Sequence, residues 1–197
     1  MAVVATSIAI FLVALVVAAP ALTRTGPRSY DVGITESAGA GDSFGGRSSI
    51  RPLVNVYVYK NGELVAFAHN IITNEGMRYL KNAVHFGNAS GVARYIALST
   101  NGATPAYTDT VCPSEITTGG LERVAGSVTT ILGPLDGDVT VRVEHTFTAT
   151  ATVSNVQKAC LLTAATEGVL YAEATFTAVN LEPNDQLTIR WEFSYTN

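Results

Sequence analysis

The chain has 197 residues, with 12 Lys and Arg against 16 Asp and Glu, a formal net charge of −4 and a charged fraction of only 14%. The basic residues form no cluster, which argues against nucleic acid as a partner because phosphate neutralisation needs a basic surface. The length leaves room for one domain of ordinary size with a core of its own.

Residues 1–23, called here the apolar segment, carry no charged side chain, and the first charge is Arg24. About 20 apolar residues at ~1.5 Å rise per residue span the ~30 Å hydrocarbon layer of a membrane as a helix. Three interpretations of this segment stay open. It is a secretory signal cleaved near the Ala-Pro-Ala sequence at 19–21, or a membrane anchor with Arg24 and Arg28 at its charged end. In the third interpretation, it is a retained helix that joins a filament. A signal peptide begins with basic residues, and none precedes Arg24, so we favour the retained helix.

The predicted organisation has three parts: a hydrophobic N-terminal helix over 1–24, a Gly/Ser-rich linker over 25–51 and a β domain over 52–197. In a filament, the helix would pack against equivalent helices through its larger side chains. These predicted assembly residues are Val3, Val4, Ile8, Ile10, Phe11, Leu12, Val13, Leu15, Val16 and Val17.

The β domain opens with period-two alternation from Leu53, and Asn61-Gly62 predicts a type I′ turn into a second strand. Thr73 or Asn74 can then cap a short helix. Further strands are predicted over 94–99, 121–131, 157–163 and 169–176.

The clearest strand patterns lie in the second half of the chain. Apolar and polar residues alternate through 139–153, where a bend or bulge is expected to divide so long a run, and again through 187–195 with Trp191 facing the core. Some eight strands without long helices predict a mainly β fold class: the N-terminal hydrophobic α-helix followed by an antiparallel β-sandwich, Greek-key or immunoglobulin-like, with one short helix.

Motifs for catalysis or cofactor binding do not occur in the sequence. His69, His85 and His145 lie far apart and have no metal-ligand spacing, and no G-x-S-x-G or phosphate-binding glycine motif is found. Asp136-Gly137-Asp138 lacks the other ligands of a calcium loop and predicts a turn. We therefore expect neither an enzyme, nor a cofactor, nor a metal site.

Cys112 and Cys160 are the only two cysteines, and an export-type N-terminus favours a disulfide between them over two buried thiols. Asn88-Ala89-Ser90 is an N-x-S/T sequon in a glycine-flanked loop, which makes Asn88 a candidate glycosylation site.

The string VVATSIAIFLVALVVAA resembles the mature N-terminal helix of archaeal type IV pilins and related archaeal filament proteins. The segments HNIITNEGMRYL, YIALSTNGATPAYTDT and LYAEATFTAVNLEPNDQLTIRWEFSY are similar to small β domains of viral tail or surface proteins and of archaeal secreted proteins. These resemblances imply a structural or adhesive role and bring no catalytic residue.

Together these observations predict a subunit of an extracellular pilus-like filament. It would be membrane-anchored before assembly and homo-oligomeric afterwards, with the β domain forming an outer surface for adhesion to a receptor or to neighbouring filaments. Two alternatives stay open. In the first, a cleaved signal is followed by an arm, roughly 22–50, that is donated as a strand to the next subunit's sheet. In the second, the protein is a membrane-tethered adhesin or a viral structural protein.

Overall fold

The computed structural model describes residues 52–87, 91–135 and 137–195. The predicted N-terminal helix and the linker lie outside these residues. The described chain forms ten strands, one α-helix and one π-helical turn. Their bounds are β1 Leu53–Lys60, β2 Glu63–His69, β3 Ile71–Ile72, α1 Asn74–Lys81, the π-helical turn Asn82–Phe86, β4 Tyr95–Ser99, β5 Val124–Ala125, β6 Ser127–Leu132, β7 Val139–Thr148, β8 Val153–Leu162, β9 Leu170–Leu181 and β10 Gln186–Tyr195.

The strands form two five-stranded antiparallel sheets. The first sheet has the order β2-β1-β10-β7-β6, and the second has the order β3-β9-β8-β4-β5. One apolar core is shared by both sheets, and its largest member is Trp191, which is 0% exposed. Every alternate residue of β10 from Leu187 to Phe193 is buried in this core, as the sequence predicts.

The predicted fold class is wrong as stated. Its N-terminal helix falls outside the described residues, and the expected Greek-key or immunoglobulin-like arrangement of some eight strands is replaced by ten strands in the orders given above. Neither sheet contains four consecutive strands, as a Greek key formed within one sheet requires. Neither order matches the ABED and CFG sheets of immunoglobulin domains.

The physical reason is that the chain changes sheet where the sequence pattern continues unbroken. Residues 139–153 alternate throughout, yet β7 belongs to the first sheet and β8 to the second, with a turn over 149–152 between them. Gly126 divides the predicted strand 121–131 in the same way, into β5 of the second sheet and β6 of the first. Period two predicts the face on which a side chain lies, but not the sheet that the strand joins.

The hairpin from β1 to β2 confirms the predicted type I′ turn. Asn61 and Gly62 both have positive φ, at 51° and 85°, as this turn requires. β1 also pairs with β10 along its whole length, from Leu53 opposite Ser194 to Lys60 opposite Leu187. The first and last strands of the described chain are therefore neighbours at the centre of the first sheet.

Helix α1 confirms the predicted cap. The Thr73 side chain accepts a hydrogen bond from the Gly76 amide at 2.9 Å and donates one to the Leu170 carbonyl at 2.5 Å. Gly76 lies against β9 so closely that a Cβ atom would be 2.1 Å from the Tyr171 carbonyl oxygen. The helix is thus held tightly on the second sheet, and within the described part of the chain no helix could span a membrane.

A long loop over 100–123 covers the outer face of the second sheet. It is held by the Cys112–Cys160 disulfide, by the Ile116 amide bonded to the Leu98 carbonyl at 2.8 Å, and by the Thr175 hydroxyl bonded to the Ala103 carbonyl at 3.0 Å. A small second core lies beneath the loop and contains Ala97, Cys112, Cys160, Leu162 and Leu170. Because both faces of this sheet are covered, consecutive residues of its central strands β8 and β9 are buried, and most of them are apolar.

Candidate interaction surface

At one edge of the two-sheet unit, the first sheet extends beyond the second. β5, the edge of the second sheet, has two residues, whereas β6, the edge of the first, has six. Val128, Thr130 and Leu132 of β6 pair with the inward-facing Val143, Val141 and Val139 of β7. Val128 is nevertheless 47% exposed, because the short β5 leaves the inner face of β6 uncovered.

Helix α1 and the π-helical turn form the opposite wall of this opening. Two adjoining cavities, of about 420 and 200 Å³, both touch Leu80 and Tyr195. We call their combined space the apolar cleft. It is lined by residues 77, 79–81, 84 and 85 of the helical wall, by 92 and 93 of the following loop, by 171 of β9, and by 128, 141, 143, 193 and 195 of the first sheet.

Most of the cleft lining is apolar, and its charge is confined to the rim. Met77, Val84 and Val92 are all among the exposed large hydrophobic side chains, with Val84 at 67% exposure. Lys81 is the only Lys, Arg, Asp or Glu of the lining, and its Nζ lies 5.7 Å from the centre of the Phe86 ring. An exposed apolar surface of this kind is typical of an interaction site.

The described chain begins at the rim of the cleft. The pairing of Leu53 with Ser194 places the start of β1 beside Tyr195, which lines both cavities. A further depression of about 150 Å³ touches Pro52, Ile72, Met77 and Tyr107. Met77 is common to this depression and to the cleft, so the surface continues to the first described residue, with Asn70 and Asn74 as polar members of the depression.

A second feature is a charged cluster beneath the covering loop. Lys158 of β8 and Glu173 of β9 form an ion pair with Nζ and Oε2 3.1 Å apart, and their side chains are 1% and 0% exposed. Oε1 of Glu173 is also buried and accepts no hydrogen bond. The carboxyl of Asp109, in the loop, lies beside Glu173 and accepts the Ala106 amide at 2.9 Å.

Burial raises the pKa of Glu173 to about 7, and the neighbouring Asp109 carboxyl adds to this shift while Lys158 opposes it. The hydrogen bond with Glu173 lowers the pKa of Asp109. When Glu173 is protonated, its carboxyl group can donate a hydrogen bond to the Asp109 carboxylate, while Oε2 remains beside Lys158 Nζ. Because the pair is inaccessible to a substrate, it acts on the stability of the loop and the strands beneath it.

The predicted disulfide partners are brought together, whereas other predicted site residues fall outside the described chain. The Sγ atoms of Cys112 and Cys160 are 2.11 Å apart, as a disulfide. The predicted assembly residues from Val3 to Val17 and the candidate glycosylation site Asn88 lie outside the described residues. Asp136 also lies outside them.

The three histidines lie in different places. His69 Nδ1 is 3.0 Å from Asn55 Oδ1, and His85 lines the cleft. His145 packs edge-on against Phe147, and burial lowers its pKa. Across residues 52–87, 91–135 and 137–195, no group of three or more His, Cys, Asp or Glu is placed to hold a metal ion.

Comparison with protein-family models, with curated proteins and with solved structures finds no match to this chain. The apolar cleft and the Lys158–Glu173 pair were not predicted from the sequence. Glu173 interrupts the apolar start of β9, and such an interruption is the signal that could have identified one member of the pair. Lys158 follows the polar Gln157 in β8, so its position in the sequence gives no comparable signal. Val84, Phe86 and Val92 stand at or after the end of the predicted short helix, and nothing in their spacing indicates a cleft.

Proposed function

We propose that this protein is a structural subunit of an extracellular filament, which assembles through its apolar segment and carries the two-sheet unit on its outside. The observation that supports the proposal best is the pairing of an uncharged segment of 23 residues in the sequence with an uncovered apolar cleft in the described unit. Both surfaces lower their free energy by leaving water, at ~25 cal/mol per Å² of apolar area.

The location of the protein outside the cell is part of the proposal. The Cys112–Cys160 disulfide supports it, since disulfides persist mainly in oxidising compartments. The outer face of the first sheet supports an exposed role. This face carries cross-strand pairs of Arg142 with Glu192 and of Arg190 with Glu144, together with threonine pairs such as Thr146 with Thr188. Such a polar face suits the water-facing side of a filament.

The test is electron microscopy of the full chain and of a variant with one charge in the apolar segment. Ile10→Asp places an unpaired carboxylate in the buried apolar contact that the segment makes in the filament and costs several kcal/mol there, so filaments are lost. Ser37→Asp, in the Gly/Ser-rich linker, adds the same charge outside this contact and leaves filaments intact. Filaments of normal length and number from Ile10→Asp would overturn the proposal.

A second candidate function is assembly by strand donation. The observation that favours it is β6, which among the described strands lies at the edge of the first sheet with β7 as its one neighbour, and whose six residues are all exposed. In that case the donated strand comes from residues 22–50 and the apolar segment has been removed. N-terminal sequencing of native subunits separates the two: a start at Met1 supports the apolar segment, and a start at Leu22 supports strand donation.

A further inference from the structure

We propose that the apolar cleft of one subunit binds the apolar segment, residues 1–23, of a neighbouring copy. This inference rests on the proposed filament function and names the contact that holds the filament together. It makes the cleft, rather than the outer faces of the sheets, the receptor surface of the two-sheet unit.

The chemistry of the two surfaces agrees. Both walls of the cleft are largely apolar, with Met77, Leu80 and Val84 beside Lys81 and His85 on the helical wall, and with Val128 and Val141 on the sheet wall. The apolar segment has no charged side chain to leave unpaired in such a place. The linker over 25–51 is rich in Gly and Ser and has few side chains large enough to fill cavities of about 420 and 200 Å³.

The length of chain outside the described residues suits a contact between copies. The 28 residues from 24 to 51 join the apolar segment to the start of β1. Fully extended, they reach roughly 90 Å at ~3.3 Å per residue, which is enough to cross to another subunit. β1 begins beside Tyr195, so the chain that precedes it is joined to the two-sheet unit next to the cleft lining.

A segment that enters the next subunit's cleft makes a head-to-tail contact. Contacts of this kind do not close on themselves unless the rotation between copies is that of a ring, so they generate open filaments. A segment that returned to its own cleft would cover the same surface and leave a monomer. Docking between copies is therefore the arrangement that connects the cleft with polymerisation.

The experiment uses the full chain with a photo-crosslinking amino acid in place of Val84, in the cleft. The matched control has it in place of Val65 on β2, the opposite edge of the first sheet, where the side chain is 41% exposed. Labelled (¹⁵N) and unlabelled protein are mixed in detergent, assembled by detergent removal and irradiated. The expected product links position 84 to the tryptic peptide Met1–Arg24. A crosslink that joins a labelled to an unlabelled peptide shows that the two come from different chains. The control should give no such product.

Three results would overturn the inference: crosslinks from position 84 to residues 25–51, crosslinks within single chains only, or no crosslinks in intact filaments. A charge variant supplies a second readout. Val128→Asp should lose filaments while Val65→Asp keeps them, and circular dichroism should show that both variants remain folded. If Val128→Asp forms filaments and Ile10→Asp does not, the filament function stands and the cleft as receptor is wrong. If the unmodified chain forms none, the function itself is wrong.

Discussion

At the scale of single residues, the buried pair of Lys158 and Glu173 connects the stability of the two-sheet unit to pH. Removing one partner of a buried ion pair leaves an uncompensated charge and typically costs about 3–5 kcal/mol. Here the cost is moderated because Glu173 can take up a proton and Asp109 can accept the resulting hydrogen bond. When Glu173 is protonated, the cluster therefore has a polar partner for each of its groups.

We expect the free energy of unfolding to fall as pH rises from about 4.5 to about 7. The folded-state pKa of Glu173, about 7, lies above its ordinary value of 4.5, so the folded protein binds more protons than the unfolded chain in this interval. Glu173→Gln should abolish this slope. The measurement is urea unfolding of both proteins at pH 4.5, 5.5, 7 and 8.

The quantity to compare is the difference in the free energy of unfolding between the original protein and Glu173→Gln at each pH. Burial lowers the pKa of His145, so that residue contributes a slope of the opposite sign near neutral pH, and it does so equally in both proteins. Asp109, whose pKa is lowered, contributes only at more acidic pH. An identical pH dependence in the two proteins would contradict the assignment of the proton to Glu173.

Gly76→Ala is expected to destabilise the protein by about 1–3 kcal/mol, the usual cost of overpacking a well-packed site. The added methyl group would lie 2.1 Å from the Tyr171 carbonyl oxygen, so α1 must move away from β9. Thermal unfolding measures the loss. Arg78→Ala, on the exposed side of the same helix, should change the melting temperature little, and an equal effect of both substitutions would contradict the close contact.

At the scale of elements, the covering loop over 100–123 is fixed to the second sheet by one covalent bond and several hydrogen bonds. The disulfide joins Cys112 of the loop to Cys160 of β8, 48 residues further along the chain. In the folded protein, the bond holds the loop on the sheet. In the unfolded chain, it keeps Cys112 and Cys160 close together and so reduces the conformational entropy of that state. The cluster of Lys158, Glu173 and Asp109 stays covered only while the loop is in place.

Reduction of this disulfide should lower the melting temperature without unfolding the protein at room temperature. In the chain-entropy model, a closed loop of this size stabilises by ~4 kcal/mol, while the main core contains neither cysteine. The measurement is calorimetry with and without a reductant, with Cys112→Ala/Cys160→Ala as the control that should match the reduced protein. An unchanged melting temperature would contradict the stabilising role of the bond.

The sequence alone predicts local features of these elements well. The Asn61-Gly62 turn, the Thr73 cap and the inward parity of β7 and β10 all depend on neighbouring residues, and all are present. The sheet that each strand joins was not predictable, because Gly126 and the turn over 149–152 redirect strands without altering their alternation. The cleft was missed for a related reason, since it arises where β6 is longer than β5.

At the scale of the whole molecule, we expect the two-sheet unit to fold without the residues that precede it. The core cluster found in the described chain is formed by residues from 54 onwards, and all ten described strands lie at or after Leu53. The unit and the apolar segment thus have separate roles in the proposed assembly. The unit supplies the receptor surface, and the segment supplies the ligand.

A chain reduced to 51–197 should be soluble, monomeric and β-rich by circular dichroism, and it should form no filaments. It retains the cleft but has no segment to offer to a neighbour. Addition of a detergent-solubilised peptide of residues 1–24 should protect amides of α1 and β6 from hydrogen exchange. Filaments from the shortened chain would contradict the role of the segment, and an unfolded shortened chain would show that residues before 51 complete a sheet.

The unequal edges of the two sheets have a practical consequence for stored protein. The second sheet ends in strands of two residues on both sides, whereas the first ends in β2 and β6 of seven and six residues. Side-by-side joining of copies through backbone hydrogen bonds is therefore open to the first sheet alone, at its two opposite edges. On long storage at high concentration, the protein should therefore form ribbons rather than an amorphous precipitate. Unlike the proposed filaments, these ribbons would be held together by strand pairing, and their X-ray diffraction should show the spacing of ~4.7–4.9 Å between strands.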